Sequence, residues 1–371
     1  MVGGGKDAFI GAEHRIAARI DDRFELVAGA LSSTPEKAQA SGAAIGLAAD
    51  RIYDDFKQMA IREARLKNGI EAVAIVTPNH MHYPAAREFL KRGIHVICDK
   101  PLTATLPDAR KLVKAVETSD ALFVLTHNYT GYPMIRQAQA MIAAGALGTL
   151  RVVQVEYPHD WMTEPQDSKQ AAWRSDPARS GAGGSTGDIG THAYHLASFV
   201  TGLELDSLAA DLQAFVPGRA LDDNAHVMLR FKGGARGMLW CSQVAPGCEN
   251  ALRLRVFGDK GGLEWGQEDP NYLWPTPLGE AQRRLTRNGA GAGPAAARVS
   301  RVPNGHPEGY LEGFATIYSE AAAAITAHRV GDPPAPEVSY PDVYDGLQGV
   351  QFVDACVRSS ARNAAWVSVT D

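Results

Sequence analysis

The feature that most constrains this chain is a regular alternation of short apolar runs with helix-like segments across its first third. The pattern predicts strands at 24–31, 72–76, 95–98 and 122–126, and helices at 35–44, 83–92 and 106–118. Strands that alternate with helices of about ten residues form βαβ units around a parallel sheet. Because crossovers are right-handed, the loops that follow these strands meet at one edge of the sheet.

The third of these apolar runs ends in the tripeptide Asp99-Lys100-Pro101. Lys100 is therefore predicted to lie at the carboxyl edge of a buried parallel strand, where ligands of open α/β sheets bind. An ammonium group at this place can reach a substrate hydroxyl and interact with a bound cofactor. The alternative is a surface lysine in an ordinary turn between a strand and a helix.

A glycine-rich turn lies near the amino terminus. Residues 3–8 fit the pattern G-x-G-x-x-A, and a helix-like stretch follows through Ile20. Glycines let a backbone approach a pyrophosphate closely, and a helix amino terminus offers free N–H groups and the positive end of its dipole. The pattern normally follows a strand, but only Met1 and Val2 precede Gly3. We therefore expect a first strand that is truncated.

The composition of the 371 residues fits a globular protein of two domains. The chain is 45% hydrophobic and 21% charged, which is enough to bury large cores. Its formal net charge of −5 gives no support to binding of nucleic acid or of an anionic membrane surface. The four cysteines form no C-x-x-C pair, and neither a membrane span nor a secretory segment is evident in the sequence. A reducing cytoplasm is the simplest setting.

After residue 126 the pattern changes to short alternating strands, predicted at 150–157, 225–231, 237–242 and 252–257. Such alternation indicates antiparallel strands with one covered face. We therefore predict an α+β domain over 127–371, with a closing helix near 344–360 that packs back toward the domain junction. Too few helices follow Leu203 to cover both faces of this sheet. An open apolar face is an association site, so we expect a homodimer or homotetramer.

A second chemical motif lies in this domain, where Asp188 and His192 are four residues apart in a segment predicted as a helix. Residues at this spacing share one helix face, and a carboxylate beside an imidazole suits general acid and base catalysis. The alternative is an aspartate that caps the helix and a histidine in the core. His195 completes an H-x-x-H and residues 80–82 form an H-x-H. A metal needs a third or fourth ligand, so we predict no metal site.

These motifs together resemble the Gfo/Idh/MocA family of dinucleotide-dependent sugar and inositol oxidoreductases. The resemblance rests on the glycine turn, Thr77-Pro78-Asn79 with His82, the Asp99-Lys100-Pro101 turn and Gly187-Asp188-x-x-x-His192, and it spans nearly the whole chain. It implies an α/β fold with a Rossmann-type domain over 1–126 and a substrate-binding and oligomerisation domain over 127–371. Asp99 stands where the family usually has glutamate, so the contacts of this carboxylate stay open.

The resemblance also implies which residues carry the chemistry. Lys100, Asp188 and His192 would line the substrate site. Oxidising a secondary alcohol requires loss of the hydroxyl proton as a hydride leaves for the nicotinamide. We expect His192 to act as the base, Asp188 to orient it and Lys100 to stabilise the alkoxide; whether Lys100 or His192 takes the proton stays open.

Two larger sets of residues combine what the resemblance implies with what the sequence itself suggests. Trp161, Trp173 and Arg174 lie before the Asp188 segment, where an aromatic face suits the apolar side of a sugar ring. The residues expected to bind the cofactor NAD(P) are Gly3, Gly5, Ala8, Phe9, Ile10, Ser32, Ser33, Lys37, Thr77, Pro78, Asn79, His82, Asp99, Lys100 and Asn128. The residues expected to bind a sugar or polyol are Lys100, Trp161, Trp173, Arg174, Asp188, His192 and His306. For the two tryptophans, packing at a domain interface is an equal alternative.

The cofactor choice depends on the end of the second predicted strand. NAD enzymes usually place an acidic residue there, but this chain has Leu31-Ser32-Ser33-Thr34. Hydroxyls together with Lys37 could hold a 2′-phosphate, so the sequence slightly favours NADP over NAD. Two other functions stay open, a non-catalytic dinucleotide or sugar sensor and an NAD-dependent glycoside hydrolase of the same fold.

Overall fold

The computed structural model describes residues 1–6 and 8–370, with only the backbone given for residues 169 and 170. The chain divides into two compact units. We call them the amino-terminal unit, residues 1–128 and 314–347, and the carboxy-terminal unit, residues 129–313 and 348–370. Among the described residues, no helix combines the length and the apolar character that a membrane span requires.

The amino-terminal unit contains a four-stranded parallel sheet in the order β1-β2-β3-β4. Its strands are β1 Val2–Gly3, β2 Ala72–Val76, β3 His95–Cys98 and β4 Phe123–Leu125. Its first helices are α1 Phe9–Ile20, α2 Pro35–Ala44, α3 Phe56–Glu63, α4 His82–Leu90 and α5 Leu106–Glu117. Val73, Ile75 and Val96 are fully buried, which explains why these strands are apolar on both faces. The predicted Rossmann-type architecture is confirmed.

The predicted strand over 24–31 is wrong in its extent. Parallel pairing in this segment is limited to isolated bridges, from Ala30 to Val2 and from Gly29 to Ile52. β1 is only two residues long, so it offers few partners for a neighbouring strand. The rest of the segment remains irregular and runs along the sheet edge without a continuous ladder.

Residues 314–347 belong to the amino-terminal unit, whereas the sequence pattern placed everything after 126 in one domain. The helix α11 Tyr310–Val330 supplies much of this segment. Its aromatic side chains at Phe314 and Tyr318 pack against the His14 ring, with centroid distances of 5.0 and 5.8 Å. The backbone N–H of Leu125 in β4 also donates to the carbonyl oxygen of Pro341 at 2.8 Å.

The carboxy-terminal unit contains a nine-stranded sheet in the order β12-β11-β10-β9-β5-β8-β7-β6-β13. Its strands are β5 Leu150–Pro158, β6 Leu205–Gln213, β7 Asn224–Phe231, β8 Arg236–Ser242, β9 Arg253–Gly258, β10 Gly261–Gly266, β11 Tyr272–Pro277, β12 Leu285–Thr286 and β13 Val367–Ser368. All neighbours are antiparallel except β5 and β8, which are parallel. The prediction of an open, mainly antiparallel sheet is confirmed.

Helices α6 Pro133–Ala143 and α9 Thr191–Thr201 pack against this sheet. The unit also contains α7 Lys169–Arg174, α8 Pro177–Ser180, α10 Pro294–Ala297 and α12 Val343–Ser360, whose residues from 348 on belong to this unit. On the strands, side chains that point away from the core include Met228, Met238, Val152 and Phe257, which are 39 to 54% exposed. Arg230 and Arg236 lie beside Met228 and Met238 on the same face, so this face is only partly apolar, and association through it stays a prediction.

Candidate active site

The glycines of the amino-terminal turn occupy positions that leave no room for a side chain. Gly3 and Gly4 have positive φ values of +81° and +73°, a conformation that glycine adopts at little cost. A Cβ on Gly3 would lie 2.7 Å from the carbonyl oxygen of Val76. A Cβ on Gly5 would lie 2.6 Å from the carbonyl oxygen of Leu31. This bare backbone fits the close approach of a pyrophosphate.

Helix α1 packs on the turn through Gly11, a glycine outside the predicted pattern. A Cβ on Gly11 would lie 2.3 Å from the Cα of Gly4, so the two backbones are in contact. The last residue of the fingerprint is small so that the helix can pack closely on the strand. The sequence pattern assigned this position to Ala8. Ala8 is instead the N-cap of α1 and has an extended backbone with no side-chain cap. The first N–H groups of α1 are thus left for an anion.

The other residues of the turn are placed around this helix start. Phe9 is the first residue of α1 and is 60% exposed, whereas Ile10 packs partly against the apolar core of the unit. The backbone N–H of Lys6 donates to Ser41 Oγ at 3.1 Å, which ties the turn to α2. Asp7 lies outside the described residues.

The predicted ribose-binding residues lie at the turn before α2. Ser32 Oγ accepts a hydrogen bond from the backbone N–H of Thr34 at 3.2 Å. Ser33 is exposed, and Lys37 is half-buried in the first turn of α2. Residues 31–34 contain no carboxylate.

Asp99 holds the lysine turn that follows β3. Its Oδ1 accepts hydrogen bonds from the backbone N–H of Lys100 at 2.9 Å and from the hydroxyl of Thr126 at 3.0 Å. The Nε2 atom of the fully buried His14 lies 3.7 Å from the same oxygen. Burial alone would raise the pKa of Asp99, but the neighbouring His14, Lys100 and His82 outweigh it and hold that pKa well below its ordinary value. The carboxylate is therefore ionised at neutral pH.

His82 connects two loops at the carboxyl edge of the sheet. Its Nδ1 lies 2.8 Å from the carbonyl oxygen of Pro101, and its Nε2 lies 2.9 Å from that of Thr77. The Lys100–Pro101 bond is cis. The His82 ring is fully buried, and its two nitrogens hold the loops after β2 and β3 together; its predicted part in cofactor binding stays a prediction. Burial lowers its pKa, against the opposing effects of Asp99 and these carbonyls.

Two buried polar atoms at this edge fit a bound dinucleotide. Thr77 Oγ1 follows β2 and Asn128 Nδ2 follows β4, and neither atom has a hydrogen-bond partner within the described structure. Pro78 is half-buried and Asn79 is buried in the loop that continues from Thr77. Unsatisfied buried groups are costly, and a polar ligand bound at this edge would satisfy them.

In the carboxy-terminal unit, the structure brings Asp188 together with the predicted aromatic residues. Asp188 Oδ2 accepts hydrogen bonds from Arg174 Nε at 3.2 Å and from Gln243 Nε2 at 3.0 Å. The Arg174 guanidinium lies 4.4 Å from the ring centroid of Trp173 and 6.0 Å from that of Trp161. Cation–π contacts of this kind fix the guanidinium. These four predicted residues thus form one cluster.

Asp188 does not lie on the α-helix that the sequence predicted. It belongs to a π-helical turn, Thr186–Gly190, and α9 begins only at Thr191. π-turns inside helices occur frequently at functional sites. The turn places the Asp188 carboxylate toward Arg174 and Gln243.

His192, in the first turn of α9, lies among tyrosine rings. Its ring centroid is 4.8 Å from that of Tyr129 and 6.2 Å from that of Tyr157, both in edge-to-face geometry. The two phenol oxygens are hydrogen bonded to each other, and Tyr157 donates to Asn250 Oδ1 at 2.8 Å. Burial raises the pKa of both tyrosines, so they remain neutral donors beside the imidazole.

A further histidine, His159, belongs to this cluster, since its ring centroid lies 4.7 Å from that of Tyr157. The two other histidines that the sequence singled out in this unit have different surroundings. His306 is exposed on the loop before α11, and its carbonyl oxygen accepts a hydrogen bond from Arg287. His195 is buried, with its ring 6.2 Å from that of Phe199. No group of three or more His, Cys, Asp or Glu side chains arranged to hold a metal occurs in residues 1–6 and 8–370.

Sequence reasoning missed several residues of these clusters. Gly11 and His14 follow the glycine turn as G-x-x-H, so a search beyond the six-residue fingerprint could have included them. Tyr129 directly follows the predicted Asn128 and could have been found by its position after β4. Gln243 and Asn250 come from distant loops, and no local signal marks them.

The comparisons with known proteins agree with this geometry. Residues 1–127 match the family described as "Oxidoreductase family, NAD-binding Rossmann fold", and residues 135–264 match the "GFO/IDH/MocA C-terminal domain". A solved oxidoreductase from Sinorhizobium meliloti is 68% identical, covers 99% of this chain and 98% of its own, and superimposes with a TM-score of 0.91.

Two further relatives have more specific names. An inositol dehydrogenase homologue from Azotobacter vinelandii, solved with NADH and myo-inositol, is 36% identical over 99% of this chain and 96% of its own, with a TM-score of 0.94. Levoglucosan dehydrogenase from Pseudarthrobacter phenanthrenivorans is 27% identical over 100% of this chain and 97% of its own length. Since family matches cover both units and extend over most of the sequence, the chain belongs to the Gfo/Idh/MocA family of NAD(P)-binding oxidoreductases.

Proposed function

We propose that this protein is an NAD(P)-dependent dehydrogenase that acts on a secondary alcohol or ketone of a sugar, glycoside or inositol. The observation that carries the proposal is the glycine turn, where no Cβ fits at Gly3 or Gly5, together with Gly11 of the helix packed on it, in a chain that also has the Asp188 and His192 clusters. The names of the two relatives, which include myo-inositol and levoglucosan, support a polyhydroxylated substrate.

The roles of the residues follow from their chemistry. A bound nicotinamide supplies the hydride acceptor. His192, in an edge-to-face setting of neutral tyrosines, takes the hydroxyl proton of the substrate. Asp188 accepts hydrogen bonds from substrate hydroxyls and from Arg174 and Gln243. Lys100 stabilises the developing alkoxide by its charge.

We propose a modest preference for NADP over NAD. The absence of a carboxylate at 31–34 removes the repulsion that a 2′-phosphate would meet, and Ser32, Ser33 and Lys37 supply donors near the ribose. A partly solvated ion pair contributes only about 0 to 1 kcal/mol. The relative solved with NADH supports acceptance of NAD as well, so the preference is several-fold and not absolute.

The variants Lys100→Ala and His192→Ala test the catalytic roles. Loss of a group that stabilises transition-state charge costs about 3 kcal/mol, or about a hundredfold in rate. We expect both variants to lose turnover while they still fold and bind dinucleotide, measured by nicotinamide absorbance and by fluorescence titration. Near wild-type turnover in both variants would remove the catalytic assignment.

A further inference from the structure

The side chain of Asp222 lies at the base of the turn that carries Asp188. Its carboxylate accepts four hydrogen bonds of 2.6 to 2.9 Å, from the backbone N–H groups of Gly184 and Thr186 and from the hydroxyls of Ser185 and Thr186. Ser185 and Thr186 are fully buried. These four hydrogen bonds fix the Asp222 carboxylate against residues 184–186.

The Asp222 carboxylate caps the π-helical turn. The first N–H groups of a helix have no partner within the helix, and a carboxylate there satisfies them and interacts well with the helix dipole. The backbone is docked as well, because the N–H of Ser185 donates to the carbonyl oxygen of Asp222 at 2.8 Å. A Cβ on Gly184 would lie 2.0 Å from that oxygen. Asp188 lies two residues after Thr186 in the same turn.

Asp223, the next residue, anchors a second backbone segment near Asp188. It is buried, and its carboxylate accepts hydrogen bonds from the N–H groups of Phe215 and Val216 and from Arg219. Arg219 also donates to the carbonyl oxygen of Met162. This chain of bonds fixes the backbone directly after Trp161.

A third connection runs through Gln243. Its backbone N–H donates to the carbonyl oxygen of Asp223 at 2.8 Å, and its side chain donates to Asp188 at 3.0 Å. The two consecutive aspartates therefore join three separate segments around Asp188: the π-turn, the Trp161 loop and the Gln243 loop.

We propose that Asp222 and Asp223 are positioning residues that set the place of the Asp188 carboxylate for the polyol substrate. The inference rests on the proposed function, because it assigns their effect to the reaction of that site. A displacement of about 1 Å in a reacting group can cost a hundredfold in rate. Loss of the cap should lower kcat/KM for the polyol, while dinucleotide affinity stays unchanged because the glycine turn lies in the other unit.

Thr186 offers a matched pair of variants. Thr186→Val removes the hydroxyl donor to Asp222 but keeps the shape of the side chain, whereas Thr186→Ser keeps the hydroxyl. We expect kcat/KM for the polyol to fall about tenfold in Thr186→Val and to stay within about threefold of wild type in Thr186→Ser, because only Thr186→Val removes a hydrogen bond to the Asp222 carboxylate. Asp222→Asn should lower kcat/KM for the polyol further, to about a hundredth of the wild-type value.

The control is Asp354→Asn, which breaks a half-exposed ion pair with Arg358 away from these contacts and should change neither kcat nor KM. Each variant is measured for kcat, for KM of polyol and of dinucleotide, and for thermal unfolding. If Thr186→Val and Thr186→Ser behave alike, with wild-type KM for the polyol, Asp222 does not position the site. If Asp222→Asn does not fold, the Thr186 pair decides alone. Wild-type turnover in His192→Ala would instead contradict the proposed function, whatever the Thr186 pair shows.

Discussion

A single methyl group at Gly11 should disrupt dinucleotide binding. In Gly11→Ala the new Cβ would lie 2.3 Å from the Cα of Gly4, and ordinary contact begins at 3.4 Å. Helix α1 and the turn must therefore separate by about 1.1 Å, the difference between these two distances. Overpacking of this kind costs about 1 to 3 kcal/mol. If the turn holds the pyrophosphate as proposed, the dinucleotide Kd should rise at least about tenfold, which corresponds to about 1.4 kcal/mol.

The assay is titration of NADH and NADPH into wild type and variant by fluorescence, together with thermal unfolding. The cost should lower Tm by about 2 to 4 °C for each kcal/mol lost. Gly309→Ala is the control, because a Cβ there meets no atom within 4 Å and the glycine does not have positive φ. If Gly11→Ala binds dinucleotide as tightly as wild type, helix α1 does not pack on the cofactor turn as described.

Three further predictions concern the cofactor, the assembly and the response to pH. Ser32→Asp should shift the enzyme from NADP toward NAD, because its charge repels a 2′-phosphate; an unchanged ratio of the two Kd values would place Ser32 away from the ribose. The partly apolar open face around Met228 and Met238 should associate in a homodimer or homotetramer, and a monomeric mass by light scattering at micromolar concentration would contradict this. Burial lowers the pKa of His82 below its ordinary value of 6.5, so the imidazole binds a proton more readily in the unfolded chain than in the folded protein. The free energy of unfolding therefore decreases as pH falls below about 6.5. His82→Asn should flatten that part of the stability curve measured by urea unfolding, and an unchanged slope between pH 7 and 5 would show that His82 is not the group responsible.

The sequence predicted β2 and β3 with their observed bounds, because strands buried on both faces are continuous apolar runs. The segment 24–31 is equally apolar but does not form a strand, since its partner β1 has only two residues. Pairing depends on the neighbour, and a local pattern contains no information about the neighbour's length.

In the site as well, residues close in sequence were predictable, whereas contacts between residues far apart in the chain were not. Asp188, Trp161, Trp173 and Arg174 were predicted from one stretch of sequence, and the structure places them in one cluster. The π-turn was missed because its apolar pattern differs little from that of an α-helix over five residues. The cap at Asp222 was missed as well, because it is separated from Thr186 by 36 residues and only the fold brings them together.

The central claim is that a hydride moves from a carbinol carbon of a polyol to the nicotinamide. Its most direct test uses inositols, aldoses and glycosides labelled with deuterium on carbon, incubated with wild type and either NAD or NADP. We predict net reduction of the dinucleotide, with deuterium recovered at the nicotinamide C4 by mass spectrometry and no transfer in His192→Ala. Binding of dinucleotide without any net reduction across this panel, or cleavage of a glycoside without it, would contradict the account in favour of a sensor or a glycoside hydrolase.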